Sequence, residues 1–264
     1  MPERLKPHRI SEPKTEKEFE LFYRYKFNSN YAIGGEFSGV LGLERPDIKR
    51  LAKAMRYFWE ISVKRIGKTY KVDKFPSTAE DIKEKLKEGR IPIFVPHEIN
   101  LIDLGRIFTF LDSKSKYLAE GSPVVDNVNN FGWLWIERSI TTPNKGASPK
   151  ELEEMFRMQG RQGQSLRTYI IGGLMHKFFE LGYFDAGVPS IGLGKTTKSI
   201  LLGSSVEGRV LHAGFSMFSA YQVLHVSTGT LGYTSDIHTP DVGGRSEEVI
   251  LPPHSKTRLA GLLR

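Results

Sequence analysis

The chain contains no cysteine. Disulfides, thiol nucleophiles and cysteine-ligated metals are therefore excluded. No apolar run approaches the roughly 20 residues a membrane-spanning helix needs. The opening Met1-Pro-Glu-Arg-Leu-Lys-Pro7 lacks the apolar core of a signal peptide. The expectation is an intracellular chain, soluble or peripherally attached to a membrane. No histidine pair has His-x3-His spacing, so no metal site is expected. No Gly-x-Ser-x-Gly elbow supports a serine hydrolase, and there is no internal repeat. Acid is the scarcer charge: 30 Asp and Glu face 38 Lys and Arg over 264 residues, a formal net charge of +8. That balance favours anionic partners: phosphate-bearing substrates, an anionic membrane or nucleic acid.

What is present begins with residues 89–103. Gly89 ends a helix opened by a capping box at Ser77/Glu80 or Thr78/Asp81. The apolar run Ile91–Val95, bounded by Gly and Pro, fits a buried strand of a parallel sheet. His97 leaves its end and Asp103 follows six positions later. A histidine with a carboxylate on the next turn has the parts of a general base and its orienter. The plainer reading is a loop histidine and a first-turn helix acid.

Along the chain, 17–32 is aromatic-rich, and 47–66 has the spacing of an amphipathic helix. Its apolar side is Ile48, Leu51, Met55, Phe58, Trp59, Ser62 and Ile66, and its other side carries Lys49, Arg50, Lys53, Arg56 and Lys64. Such a helix packs on its own domain or lies on a membrane surface. Strands are expected at 69–74, 91–95, 116–119, 133–136, 168–171 and 188–193, with helices at 79–88, 101–111, 149–159 and 174–181 between them. This alternation predicts an α/β fold, a mostly parallel sheet flanked by helices, with an N-terminal helical extension and an irregular C-terminal region. The divisions are 1–68 (arm and amphipathic helix), 69–235 (α/β domain) and 236–264 (extended tail). Two further strands are expected at 206–211 and 221–226. The Gly187–Thr197 loop looks like a phosphate-binding P-loop. Its Gly194-Lys195-Thr196 calls for a glycine at 189, where Pro189 stands, so a weaker anion site is the reading there.

A second informative block is Gly132-Trp-Leu-Trp-Ile136-Glu137-Arg138, a strand that delivers an arginine suited to a phosphate. A third, Ile171-Gly172-Gly173-Leu174-Met175, is followed by His176 and Lys177. In order and spacing, over about 85–195, the three blocks resemble the glycerolipid acyltransferase superfamily, the glycerol-3-phosphate and lysophosphatidate acyltransferases. The family's blocks are Asn-His-x4-Asp, Gly-x-x-Phe-Ile-x-Arg and Glu-Gly-Thr-Arg. This chain departs from them: Pro96 precedes His97, the spacing to Asp103 is His-x5-Asp, and the third block lacks its Glu, Thr and Arg. The resemblance implies His97 as catalytic base, Asp103 as its orienter, and Gly132, Arg138, Gly172, Gly173, His176 and Lys177 around the acceptor. It implies acyl transfer from acyl-CoA or an acyl-carrier protein, as co-substrate and with no other cofactor, to a phosphate-bearing glycerol acceptor, with peripheral membrane contact through 47–66. The alternatives are a catalytically degenerate acyltransferase-like domain, or a basic structural subunit of a ribonucleoprotein or other large assembly that contacts nucleic acid or protein.

Overall fold

The computed structural model describes residues 46–107, 116–128, 130–178, 198–218, 221–232 and 242–252. The aromatic-rich 17–32, the expected 188–193 strand and the P-loop-like 187–197 lie outside them. Five α-helices are described: α1 (Ile48–Val63), α2 (Ala79–Lys87), α3 (Leu101–Ile107), α4 (Pro149–Met158) and α5 (Leu166–Phe178). The strands are β1 (Arg90–Val95), β2 (Val125–Asp126), β3 (Gly132–Glu137), β4 (Gln162–Gly163), β5 (Lys198–Val206), β6 (Arg209–Phe218), β7 (Tyr221–Gly232), β8 (Val242–Gly244) and β9 (Ser246–Val249).

Local chemistry sets the helix starts. Asp47 accepts from Arg50 N at 3.0 Å ahead of α1. Thr78 with Asp81 closes a reciprocal capping box on α2, and Ser148 with Glu151 closes one on α4 behind Pro149. Gly89 turns the chain into β1 at φ +73°, a left-handed conformation that favours glycine.

The strands do not form the expected parallel sheet. One sheet runs β1-β3-β9-β4 and the other β2-β5-β6-β7, with β8 beside β5. Every pairing is antiparallel except the short β5–β8 contact. The apolar run of β1 fits a parallel strand, but it reports burial on both faces, not direction. Here α2 packs on β1, and Phe75 meets Trp133 edge-on at 4.9 Å on the face that Trp133 shares with Phe94 and Trp135. The opposite face, with Ile91 and Ile136, meets α5. The expected strand 168–171 is helical, inside α5. Its β-branched and aromatic residues (Thr168, Tyr169, Ile170, Ile171) gave the strand signal, and tertiary burial overrides that propensity. Nor are 69–74 and 116–119 strands. The C-terminal region is not irregular throughout: β8 joins the second sheet and β9 the first.

Helix α1 belongs to the main core and is no appendage. Phe58 and Trp59 are fully buried, Trp59 Nε1 donates to Phe94 O at 3.0 Å, and Phe58 meets Phe178 edge-on at 5.5 Å. Its basic residues Lys49, Arg50, Lys53, Arg56 and Lys64 are exposed. No described helix is long and apolar enough to cross a membrane. A smaller cluster (Leu152, Phe156, Ile200, Leu202, Val210, Val242) joins α4 to the second sheet. Helix α5 touches β1, β5 and α3, and every described side chain along it is buried. A helix whose described side chains are all buried presents none of them to water.

The bend in β5 lets α5 begin inside the protein. The β5–β6 register shifts between Leu201 and Ser205, and Gly203 sits in that shift. A Cβ there would lie 2.5 Å from Ser165 N, 2.6 Å from Gly163 O and 2.7 Å from Gln164 C. All three are backbone atoms, which cannot swing aside. Gly203→Ala should therefore cost about 3 kcal/mol, at the upper end of overpacking, measured by urea unfolding. A loss below about 0.5 kcal/mol would show that the turn yields.

Candidate functional site

The residues picked from sequence fall into two places. Val95 pairs with Gly132 and Arg90 with Glu137. His97 therefore leaves one end of the β1–β3 pair and Arg138 the other, about 20 Å apart at strand rise. Antiparallel pairing makes this separation unavoidable. A parallel pair would have brought both to one edge.

At the first place, His97 is exposed in the turn after β1, and its ring stacks on Phe131 at 5.0 Å and 26°. Phe131 immediately precedes Gly132, which opens β3 at φ +77°. The guanidinium of Arg167, in the first turn of α5, lies over the same ring at 4.3 Å. Arg167 reaches Asp126 at 3.8 Å and donates to Val128 O at 3.5 Å. Asp126 accepts from Ser204 Oγ. Burial raises its carboxyl above the usual range, against the pull of Ser204 and Arg167. Ser204 Oγ in turn accepts from Leu166 N at 2.8 Å, at the start of α5.

Asp103 is engaged elsewhere. Its carboxylate takes Lys68 Nζ at 2.7 Å and Tyr70 OH at 3.5 Å, while its N–H donates to Asn100 Oδ1 at 2.8 Å. Burial first, then the Asp103 charge, raises the Tyr70 phenol. Among the described residues no hydrogen bond joins His97 to Asp103.

At the second place, His176 Nε2 lies 2.6 Å from Arg138 O, and a carbonyl only accepts, so Nε2 carries the proton. Arg138 N–H donates to Gly89 O at 2.7 Å. Arg138 and the buried His176 line one hollow of about 610 Å³ with Glu88, Glu137, Ser139 and Ile140. Gly172 and Gly173 lie buried within α5, about one turn before His176. The Lys177 side chain lies outside the described set.

Sequence reasoning missed the polar centre around Glu247. Pairing places Ile91, Ile136, Glu247 and Gln162 in one cross-strand row, so they share a face. Glu247 is fully buried. It accepts from Asn130 Nδ2 at 2.8 Å, from Ser165 N at 3.4 Å and from Thr168. Asn130 Nδ2 also donates to Gln162 Oε1 at 3.1 Å. Burial pushes the Glu247 carboxyl up to about 7 even so. One sequence signal existed: Ser165-x-x-Thr168 is a helix start, and Ser165 Oγ does accept from Thr168 N at 3.1 Å. Nothing in Ser246-Glu247-Glu248-Val249 marks which glutamate is buried. No group of three or more metal-ligating side chains occurs among the described residues.

Comparison with family models, curated proteins and solved structures finds no match.

Between pH 4.5 and about 7 the folded chain holds a proton on Glu247 that the unfolded chain releases. Folding takes up a proton there, so this contribution to stability is lost as pH rises through about 7. The Glu247→Gln variant cannot titrate at this position. Its stability relative to wild type should improve by up to about 3 kcal/mol between pH 4 and pH 8. Urea unfolding of both chains across that range checks it. A difference that stays flat rejects the assignment.

Proposed function

We propose that the chain transfers a fatty acyl group from an acyl thioester to a hydroxyl of a phosphate-bearing, glycerol-type acceptor, with His97 as general base. One observation carries this reading. A solvent-open imidazole at a strand end and a guanidinium both pack on the Phe131 ring, which puts a base and a fixed positive charge in one neighbourhood. The imidazole takes the hydroxyl proton, the oxygen attacks the thioester carbonyl, the C–S bond breaks and the thiol leaves. No covalent acyl-enzyme is required. The Phe131 stack orients the ring, the task that the resemblance would give to Asp103. Arg167, rather than Arg138, supplies the cation that shares the Phe131 ring with the base.

In an acyl-transfer assay with a long-chain acyl-CoA and glycerol 3-phosphate or lysophosphatidate, His97→Ala should lose about 10²–10⁴ in rate. Asp103→Asn should change the rate by less than about threefold, since the carboxylate serves Lys68 and Tyr70. Activity that survives His97→Ala rejects the base, and a large loss in Asp103→Asn restores the dyad.

The contacts of Asp103 favour a second reading, an acyltransferase-like chain without catalysis that serves as a basic subunit of a larger assembly. The exposed cations of α1 would then meet an anionic partner by charge alone, because Phe58 and Trp59 are spent on the core. This reading expects no acyl transfer with any acceptor, and nucleic-acid binding that falls steeply with salt. Salt-insensitive binding rejects it.

A further inference from the structure

We infer that the groove between the C-terminal half of α4 and the segment after β2 binds a small monocarboxylate with an apolar body. The groove holds about 560 Å³, within the size range of small-molecule sites. Glu153 and Arg157 line it from α4, Arg161 and Gln162 from the turn into β4, and Val128 and Leu202 supply apolar lining.

Two charges in this groove are left open. Glu153 and Arg157 stand one helical turn apart on α4, the spacing at which opposite charges pair. Both are exposed, and no ion pair joins them. Among the described residues the Arg157 guanidinium has no partner of any kind. It offers five N–H donors in a planar fork that matches a carboxylate. Gln162 adds a donor on the same side of the ledger of charge. Its Oε1 accepts from Asn130 Nδ2 at 3.1 Å, and among the described residues nothing accepts from its Nε2. Arg161 brings a second positive charge, shared with Glu88 at 3.5 Å and Glu248 at 4.0 Å. Within the groove, two guanidiniums thus face the single carboxylate of Glu153, and an anion is the complementary ligand. Glu153 limits how much negative charge the site accepts, which favours a monoanion over a dianion such as phosphate. The half-buried Val128, the small exposed area of Leu202 and the methylene stem of Arg157 give an alkyl chain a surface to cover. This groove does not include His97, and its test uses no acyl-transfer readout.

The probe is octanoate, titrated calorimetrically into the full chain at low ionic strength and neutral pH, where its carboxyl is ionised as a glutamate is with its pKa of about 4.3. The controls are n-octylammonium, which has the same chain and the opposite charge, and inorganic phosphate, which has the charge and no chain. Octanoate should bind about tenfold more tightly than either. Arg157→Gln should weaken octanoate about tenfold, the worth of one hydrogen bond to a charged group. Glu153→Gln should bind it as tightly as wild type or up to about twofold more tightly, because a like charge one turn away is removed. Both positions are exposed, so both variants should fold, which urea unfolding checks. No saturable octanoate binding by the folded wild type overturns the proposal. So does equal affinity for octylammonium or for phosphate, undiminished affinity in folded Arg157→Gln, or weaker affinity in folded Glu153→Gln.

Discussion

The start of α5 lies inside the protein, and much of the polar architecture answers to that constraint. A helix leaves its first N–H groups without partners, and water cannot reach these. The chain supplies side chains in its place. Ser165 caps Thr168 N, Ser204 accepts from Leu166 N, and Glu247 accepts from Ser165 N. Each partner then needs its own support, which recruits Asp126 to Ser204 and Asn130 to Glu247. The glycine and bulge in β5 follow from the same need, because Gly203 brings its N–H within 3.0 Å of Gln164 O just ahead of the helix. A closely packed helix, a bent strand and a buried glutamate are thus consequences of one burial.

A second constraint is the passage of the chain from one sheet to the other at Gly244-Arg245-Ser246. Arg245 is fully buried and donates to Ser139 O at 2.9 Å and Thr141 O at 3.2 Å, which ties the crossover to the loop after β3. Ser246 hydrogen-bonds the Glu137 carboxylate through both N–H and hydroxyl. Arg90, almost fully buried in β1, donates to Trp135 O at 2.7 Å and to Ser246 Oγ at 3.4 Å. Burial lowers its pKa, and Glu137 opposes that shift. Removing one member of such a network leaves an uncompensated charge in the interior, so its members stand or fall together.

Elements with local signals were legible in the sequence. The caps at Thr78/Asp81 and Ser148/Glu151, the apolar side of α1 and the strands at 91–95 and 133–136 all have short-range causes. Strand direction and sheet partnership do not. Ile91–Val95 reads the same in a parallel or an antiparallel sheet when both faces are covered. Residues 168–171 carry a strand-like composition, and only burial on every side makes them helical. The candidate site was half legible for the same reason. His97 and Phe131 stand beside motif blocks, while Arg167, Asp126 and Glu247 come together only through pairing and packing between distant segments.

The direction of β3 also decides what kind of chemistry each end of the sheet can host. Where β1 ends, His97 is open to solvent beside Phe131, and the nearby guanidinium is held by Asp126. A ring there stays accessible from solvent and shares its aromatic partner with that guanidinium. Where β3 ends, the His176 ring is buried and spends its Nε2 proton on the Arg138 carbonyl. A histidine donating that proton to a backbone carbonyl cannot also use Nε2 to accept one from a hydroxyl. His176 Nε2 is therefore committed to holding the loop after β3, while the His97 ring keeps both nitrogens outside any such backbone contact among the described residues.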